Sequence, residues 1–209
     1  MNNFRSTVRR IWSHLNMSVR RMLRGEREDR YAVVDDNGKP TGETVSYYAA
    51  HVHGIRHESA EVYIITPKHE VLLQRRSQHV LLQPGMWHSS ASGHIVAGQT
   101  PAIAAQAEVR EELGIQLSPE ELVCVGKVRS DEVFDSVGVI NNEHKHLFVV
   151  FRDIALADVH REALEVSELQ LLPITEFIQK IETRDPEYIW NPITPMLISY
   201  LKTYGDHKK

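Results

Sequence analysis

Cysteine is almost missing from this chain: Cys124 is the single one in 209 residues. No disulfide can close within the chain, and a reducing compartment is the expected setting. Within Val-Cys-Val, Cys124 is expected to act as a small buried apolar residue rather than a reactive thiol. No run of about 18 consecutive apolar residues occurs, so no membrane-spanning helix is expected. The N-terminus lacks the uninterrupted apolar core of a secretory signal, which points to a cytoplasmic protein. Internal repeats and low-complexity segments are also missing, so repeat architectures drop out. Acidic residues are absent from the first 25 positions, which hold six arginines; the other 184 residues carry 18 basic and 28 acidic side chains. A front end of +6 therefore precedes a remainder of −10. Nothing in this balance calls for a nucleic-acid partner.

Within that front end, Phe4, Val8, Ile11, Trp12, Leu15, Val19, Met22 and Leu23 recur at helical spacing. Residues 1–29 are expected to form a basic amphipathic helix with a short linker, and residues 30–209 one domain. With 42% hydrophobic residues the chain can bury a normal core. Three roles suit residues 3–24: an organelle presequence over 1–25, a membrane-surface helix, or a stripe docked on the acidic remainder or on a second subunit. Docking is the preferred expectation, because a stripe containing Trp12 is too apolar to stand in water.

The most informative segment runs from Gly93 to Ile115. Thr100 is placed to cap a helix, Pro101 suits its first turn, and Gly114 can end it in the left-handed conformation. Ala102, Ala105, Val109 and Leu113 fall on one apolar stripe. Glu108, Glu111 and Glu112 share another face, at i, i+3 and i+4. Three like charges so spaced repel one another, and a divalent cation relieves the repulsion because hard oxygen ligands suit Mg²⁺. A bare E-x-x-E-E is equally the mark of a solvated acidic face; the preceding glycine loop and the clean caps favour the metal.

In that register the segment resembles the Nudix box, through Gly93, Glu108, Val109, Glu111, Glu112, Gly114 and Ile115. Gln99 stands where the box has a glutamate and Ala107 where it has an arginine. The resemblance implies an α/β fold, a mixed sheet between helices in an α/β/α sandwich. It also implies Mg²⁺ or Mn²⁺ on Glu108, Glu111, Glu112 and the Gly93 carbonyl, with these glutamates catalytic in hydrolysis of a small-molecule diphosphate. The family arginine fixes a catalytic glutamate, so Ala107 leaves open a catalytically weak, diphosphate-binding protein.

The segments Leu73-Gln-Arg-Arg76, Pro84-Gly-Met-Trp87 and Trp87-His-Ser-Ser-Ala-Ser-Gly-His94, with the leader from Tyr31 to His57, look like the isopentenyl-diphosphate-isomerase branch. Isomerases of that branch need a cysteine where Ser92 stands, and a serine hydroxyl is too weak an acid to replace it. Their Glu-Asn-Glu segment reads Asn141-Asn142-Glu143 here. Both departures favour hydrolysis over isomerisation. His57, His94 and Glu143 persist from that branch's metal pattern and are candidates for a second metal, Zn²⁺ or Mn²⁺ by ligand type; the alternative is that the histidines are polar pocket residues. Glu143 is also a candidate catalytic base, and His94 a substrate contact. Of Arg75 and Arg76, alternation turns one inward as a phosphate binder. His144 and His146 read as a surface pair more than as diphosphate contacts, and Glu165 to Glu168 as a structural acidic junction.

Around these motifs, a hairpin is expected from Tyr31 through the turn Asp35 to Gly38. A short helix is expected over Val45–His53, and strands over Glu61–Thr66, Val71–Arg75, Ser92–Val96, Leu122–Val128, Leu147–Arg152 and Leu169–Leu172. Helices are expected over Ile174–Glu182 and Pro195–Thr203, the second capped by Thr194.

Overall fold

A computed structural model describes residues 29–206 of the chain; the expected N-terminal helix lies outside the described residues. The chain opens with a hairpin, β1 (Arg30–Val34) against β2 (Pro40–Ser46), followed by helix α1 (Tyr47–His53). Then come β3 (His57–Ile65), β4 (Glu70–Arg76), β5 (Trp87–His88), β6 (Ala91–His94) and helix α2 (Pro101–Leu113). The rest is β7 (Leu122–Phe134), β8 (Val139–Phe151), β9 (Val166–Pro173), α3 (Ile174–Glu182) and α4 (Thr194–Asp206).

Seven strands form a mixed sheet in the order β5-β4-β3-β8-β7, with β6 on β3 and β9 on β4. β3 and β8 run parallel, from His57 beside Glu143 to Ile65 beside Phe151. The other edge of β3 is shared: β6 pairs with Ser59–Val62 and β4 with Ile64–Ile65.

Side chains alternate along these strands, so each face builds its own core. Tyr63, Ile65, Leu147 and Val149 pack with Phe177 and Ile181 of α3 and Leu197 and Leu201 of α4. Ala60, Val62, Ile64, Phe148 and Val150 pack with Ala105, Val109 and Leu113 of α2. Each fully buried aliphatic side chain stabilises the sandwich by about 1.5–3 kcal/mol. The α/β/α arrangement is thus present. No helix among the described residues is long and apolar enough to cross a membrane.

Four local expectations need correction. The first helix begins at Tyr47, because Val45 still pairs with Tyr31 in the hairpin and Ser46 caps the helix through the Ala49 amide. β7 and β8 are far longer than their apolar runs, since polar residues alternate through them up to the Asp135–Gly138 turn. Cys124 is exposed rather than buried: β7 is an edge strand, and its register slips between Cys124 and Gly126. Thr194 lies inside α4, and Asn191 binds the incoming turn instead, accepting from the Ile193 amide at 3.1 Å.

Candidate metal centre

Strand register gathers the polar residues. His57, Ser59 and Glu61 of β3 stand beside Glu143, Lys145 and Leu147 of β8, while His94 and Ser92 of β6 stand beside Ser59 and Glu61. Paired residues project from the same face, so this face is polar at one end and continues into the apolar core at Tyr63 and Leu147. α1 adds a further histidine. Gly54 ends that helix at φ 62° and turns the chain straight into β3, which brings His51 back against His57.

The ligand atoms of His51, His57 and His94 lie within 4.8 Å of one another. His51 Nδ1 donates to the Tyr47 carbonyl at 2.8 Å and His57 Nδ1 to the Ile55 carbonyl at 2.9 Å. A carbonyl only accepts, so each of these rings carries a proton on Nδ1 and turns Nε2 toward the group. His57 Nε2 is buried with no hydrogen-bond partner. Glu143 Oε1 lies 3.3 Å from His94 Nε2 and 3.7 Å from His57 Nε2. Burial lowers the His57 pKa to about 4 and pulls His94 down as well. Burial acts to raise Glu143, but Lys145 and His94 outweigh it and hold the carboxyl well below the usual range. Tyr31 stacks on His57 and Tyr47 on His51, closing the group from the hairpin and helix side. For His57, His94 and Glu143 these shifts favour neutral imidazoles and an ionised carboxylate, the protonation states that metal ligation requires. An orphaned imidazole nitrogen aimed at that carboxylate means these residues fit a borderline divalent ion.

The acidic helix divides its glutamates. Glu112 is buried, with Oε2 accepting from Gln74 Nε2 at 2.9 Å and from the Ser92 amide at 3.1 Å. Burial, then the Glu108 and Glu165 charges, push its pKa well above the carboxylate range. Glu108 lies directly against Gly93, where any Cβ would overlap its carboxylate. Glu111, 64% exposed, pairs with Arg110 and is not brought to the other two. The helix caps are as expected: the Thr100 side chain accepts from the Ile103 amide and Gly114 has φ 67°. Gln99 closes the glycine loop by accepting from the Val96 amide.

The two arginines also separate. Arg76 turns inward, donating to the Leu82 carbonyl within the electrostatic reach of Glu112, Tyr47 and Glu165. Arg75 is held by the Gly85 carbonyl and Glu168 instead. His144 is buried with its ring against Gly38 of the hairpin turn, and His146 binds Glu58 of β3 at 2.9 Å, so the expected surface pair is corrected. Sequence reasoning missed His51, whose only signal is its place six residues before His57 across Gly54. It also missed Gln74, which grips Glu112, and Lys145, whose ammonium lies 2.7 Å from Glu143 Oε2. A fourth omission is the buried chain in which Glu61 takes hydrogen bonds from Tyr63 and Asn191 and faces His88 at 3.5 Å.

The chain is 30% identical over 165 residues to Nudix hydrolase 3 of Arabidopsis thaliana, across 78% of this chain but 21% of that protein. It is 28% identical over 158 residues to the isopentenyl-diphosphate Delta-isomerase of Streptomyces avermitilis, across 76% and 77% of the two chains. A Deinococcus radiodurans crystal structure superposes with a TM-score of 0.59 at 15% identity, covering 84% of this chain and 98% of that one. Residues 55–190 match the NUDIX domain model, and the chain is therefore a member of the Nudix family.

Proposed function

We propose that the chain is a metal-dependent hydrolase of a diphosphate linkage, in a nucleoside-diphosphate-linked or other organic diphosphate. The observation that carries this reading is the convergence of Glu108 and Glu112, one helical turn apart, on the Ser92–Gly93 backbone. Their carboxylates and the Gly93 carbonyl would hold Mg²⁺ or Mn²⁺, and His51, His57, His94 and Glu143 a second, more nitrogen-rich site. A bound divalent ion neutralises phosphate oxygens and lowers the pKa of a coordinated water. The chain's own residues do the rest. Arg76 supplies a guanidinium for the diphosphate, Gln74 fixes Glu112, and Glu143 remains charged at the far side of the pocket. Glu111, turned to solvent, has the weaker claim to a catalytic part. The test is a panel of diphosphates assayed with Mg²⁺ and Mn²⁺. Glu112→Gln should abolish metal-dependent phosphate release while circular dichroism stays native, and undiminished turnover in that variant would refute the assignment.

The histidine–glutamate group and the isomerase relatives favour a second reading, isomerisation of isopentenyl diphosphate. Ser92 in place of the required thiol weighs against it. Clean conversion of isopentenyl diphosphate to its allylic isomer by the purified protein, without phosphate release, would replace hydrolysis as the assigned reaction. Metal-dependent ligand binding in calorimetry with no product in mass spectrometry would make the chain a diphosphate-binding protein instead.

A further inference from the structure

Glu61, His88 and Ser92 form a line of contacts that neither candidate metal group uses. Ser92 of β6 pairs with Glu61 of β3 and projects from the same face. His88 of β5 bridges their side chains, with Nδ1 3.4 Å from Ser92 Oγ and Nε2 3.5 Å from Glu61 Oε1. The inner end is anchored, since Glu61 accepts from Tyr63 Oη at 2.8 Å and from Asn191 Nδ2 at 3.0 Å. The outer end adjoins the acidic helix, where the Ser92 amide donates to Glu112 Oε2 at 3.1 Å. Exposure rises along the line, from 3% at the Glu61 side chain to 10% at His88 and a half-buried Ser92. We infer that Ser92, His88 and Glu61 form a proton path, in which Ser92 takes the proton of the attacking water and His88 passes one on to Glu61.

The inference rests on the hydrolase reading and adds to it the destination of the water's proton. Donors and acceptors set the direction of the path. A carboxylate that accepts on both oxygens, from Tyr63 and Asn191, offers His88 an acceptor, so the imidazole proton belongs on Nε2. Burial, then Arg76 and Lys145, hold the His88 pKa well below its ordinary value, so the ring carries one proton and Nδ1 a lone pair. Two hydroxyls reach Nδ1. Ser89 Oγ, at 3.2 Å, gives its proton to the Ala91 carbonyl, which leaves Ser92 as the donor. The lone pairs of Ser92 Oγ then accept from the pocket. As the water oxygen bonds to phosphorus, the P–O bond to the leaving phosphate breaks. The water's proton moves to Ser92 Oγ, the Ser92 proton to His88 Nδ1, and the Nε2 proton to Glu61 Oε1. Reverse transfer to the product phosphate or to solvent resets the path. Burial raises the Glu61 pKa, which strengthens that carboxylate as the final acceptor. The contacts to His88 are long for hydrogen bonds, as catalytic contacts commonly are before substrate binds.

His88→Gln tests the path, because a glutamine amide can accept from Ser92 and donate to Glu61 but cannot pass a proton. The full chain is assayed on the diphosphate panel with Mg²⁺, and the wild type is also examined by nitrogen NMR of labelled histidines, with His88→Gln assigning the His88 signals. The wild type should show His88 protonated on Nε2 alone. His88→Gln should lower kcat by about 100-fold, with KM and melting temperature near wild type, and Glu61→Gln should do the same. A role for His88 in holding structure alone predicts rescue by glutamine. Turnover near wild type in His88→Gln would therefore overturn the path and leave the hydrolase reading standing. If His88→Gln does not fold, Ser92→Ala carries the same test, and full turnover there overturns the path. A His88 proton on Nδ1 would overturn it whatever the turnover, since Ser92 would then have no acceptor. A wild type that releases phosphate from no diphosphate, with or without the expected tautomer, would overturn the hydrolase reading and the path together.

Discussion

Gln74 and Glu61 show how single side chains govern this pocket. Gln74 donates to a carboxylate that burial and two neighbouring acids push towards its neutral form. Gln74→Leu should cost about 1–3 kcal/mol in urea unfolding, because Glu112 loses a buried partner. Under the proposed hydrolase reading, diphosphate turnover should fall in the same variant, since Gln74 holds Glu112. Glu61 is buried on β3, and its pKa is raised, burial outweighing Lys145, Tyr63 and Asn191. A folded-state pKa above the unfolded value gives stability that is full at low pH and lost as pH rises through the folded value. Glu61→Gln has no such dependence. Urea titrations between about pH 4 and pH 8 should therefore show the variant gaining on the wild type as pH rises, and parallel curves would contradict the shift. Neither residue stood out in the sequence. A glutamine in an apolar strand and a glutamate before Val-Tyr-Ile-Ile acquire meaning only when a helix 38 positions away, or an asparagine 130 positions away, arrives beside them.

Helix α2 was legible because its signals are local: a capping threonine, a proline, an apolar stripe and a terminal glycine. Thr100→Ala should lower stability by about 1 kcal/mol, read as a fall in melting temperature, since the Ile103 amide loses its acceptor. The fate of the glutamates on that helix was less legible. Spacing alone groups Glu108, Glu111 and Glu112, but Glu112 sits beside Leu113 at the edge of the core stripe and follows it inward, while Glu111 turns to solvent. β7 and β8 were half legible for a related reason. Their distal halves alternate charged and polar residues that face the pocket or the neighbouring strand, so hydrophobic periodicity stops before the strands do. The family register carried the site further than periodicity could, naming His57, His94 and Glu143 without contact information. It passed over His51, whose helix is too short for its inner face to be read from pattern.

At the scale of the molecule, the described residues carry the acidic part of the chain, and the arginine-rich stretch 3–24 remains a sequence property with a direct test. If that stretch docks on the domain or a second copy, deleting residues 1–28 should lower the melting temperature or change the oligomeric state in sedimentation. Unchanged values with loss of binding to anionic vesicles would assign it to a membrane surface. The parallel pairing of β3 with β8 has a kinetic consequence. It joins partners such as Glu58 and His146, 88 positions apart, and so demands closure of a long loop before any of its contacts form. His51 and His57 come from one end of that loop and Glu143 from the other, so the proposed site cannot assemble in a chain emerging from the ribosome until β8 has been made and has found β3. During refolding with a divalent ion present, uptake of the ion should follow helix formation in far-ultraviolet dichroism, timing the moment at which the two ends of the sheet meet.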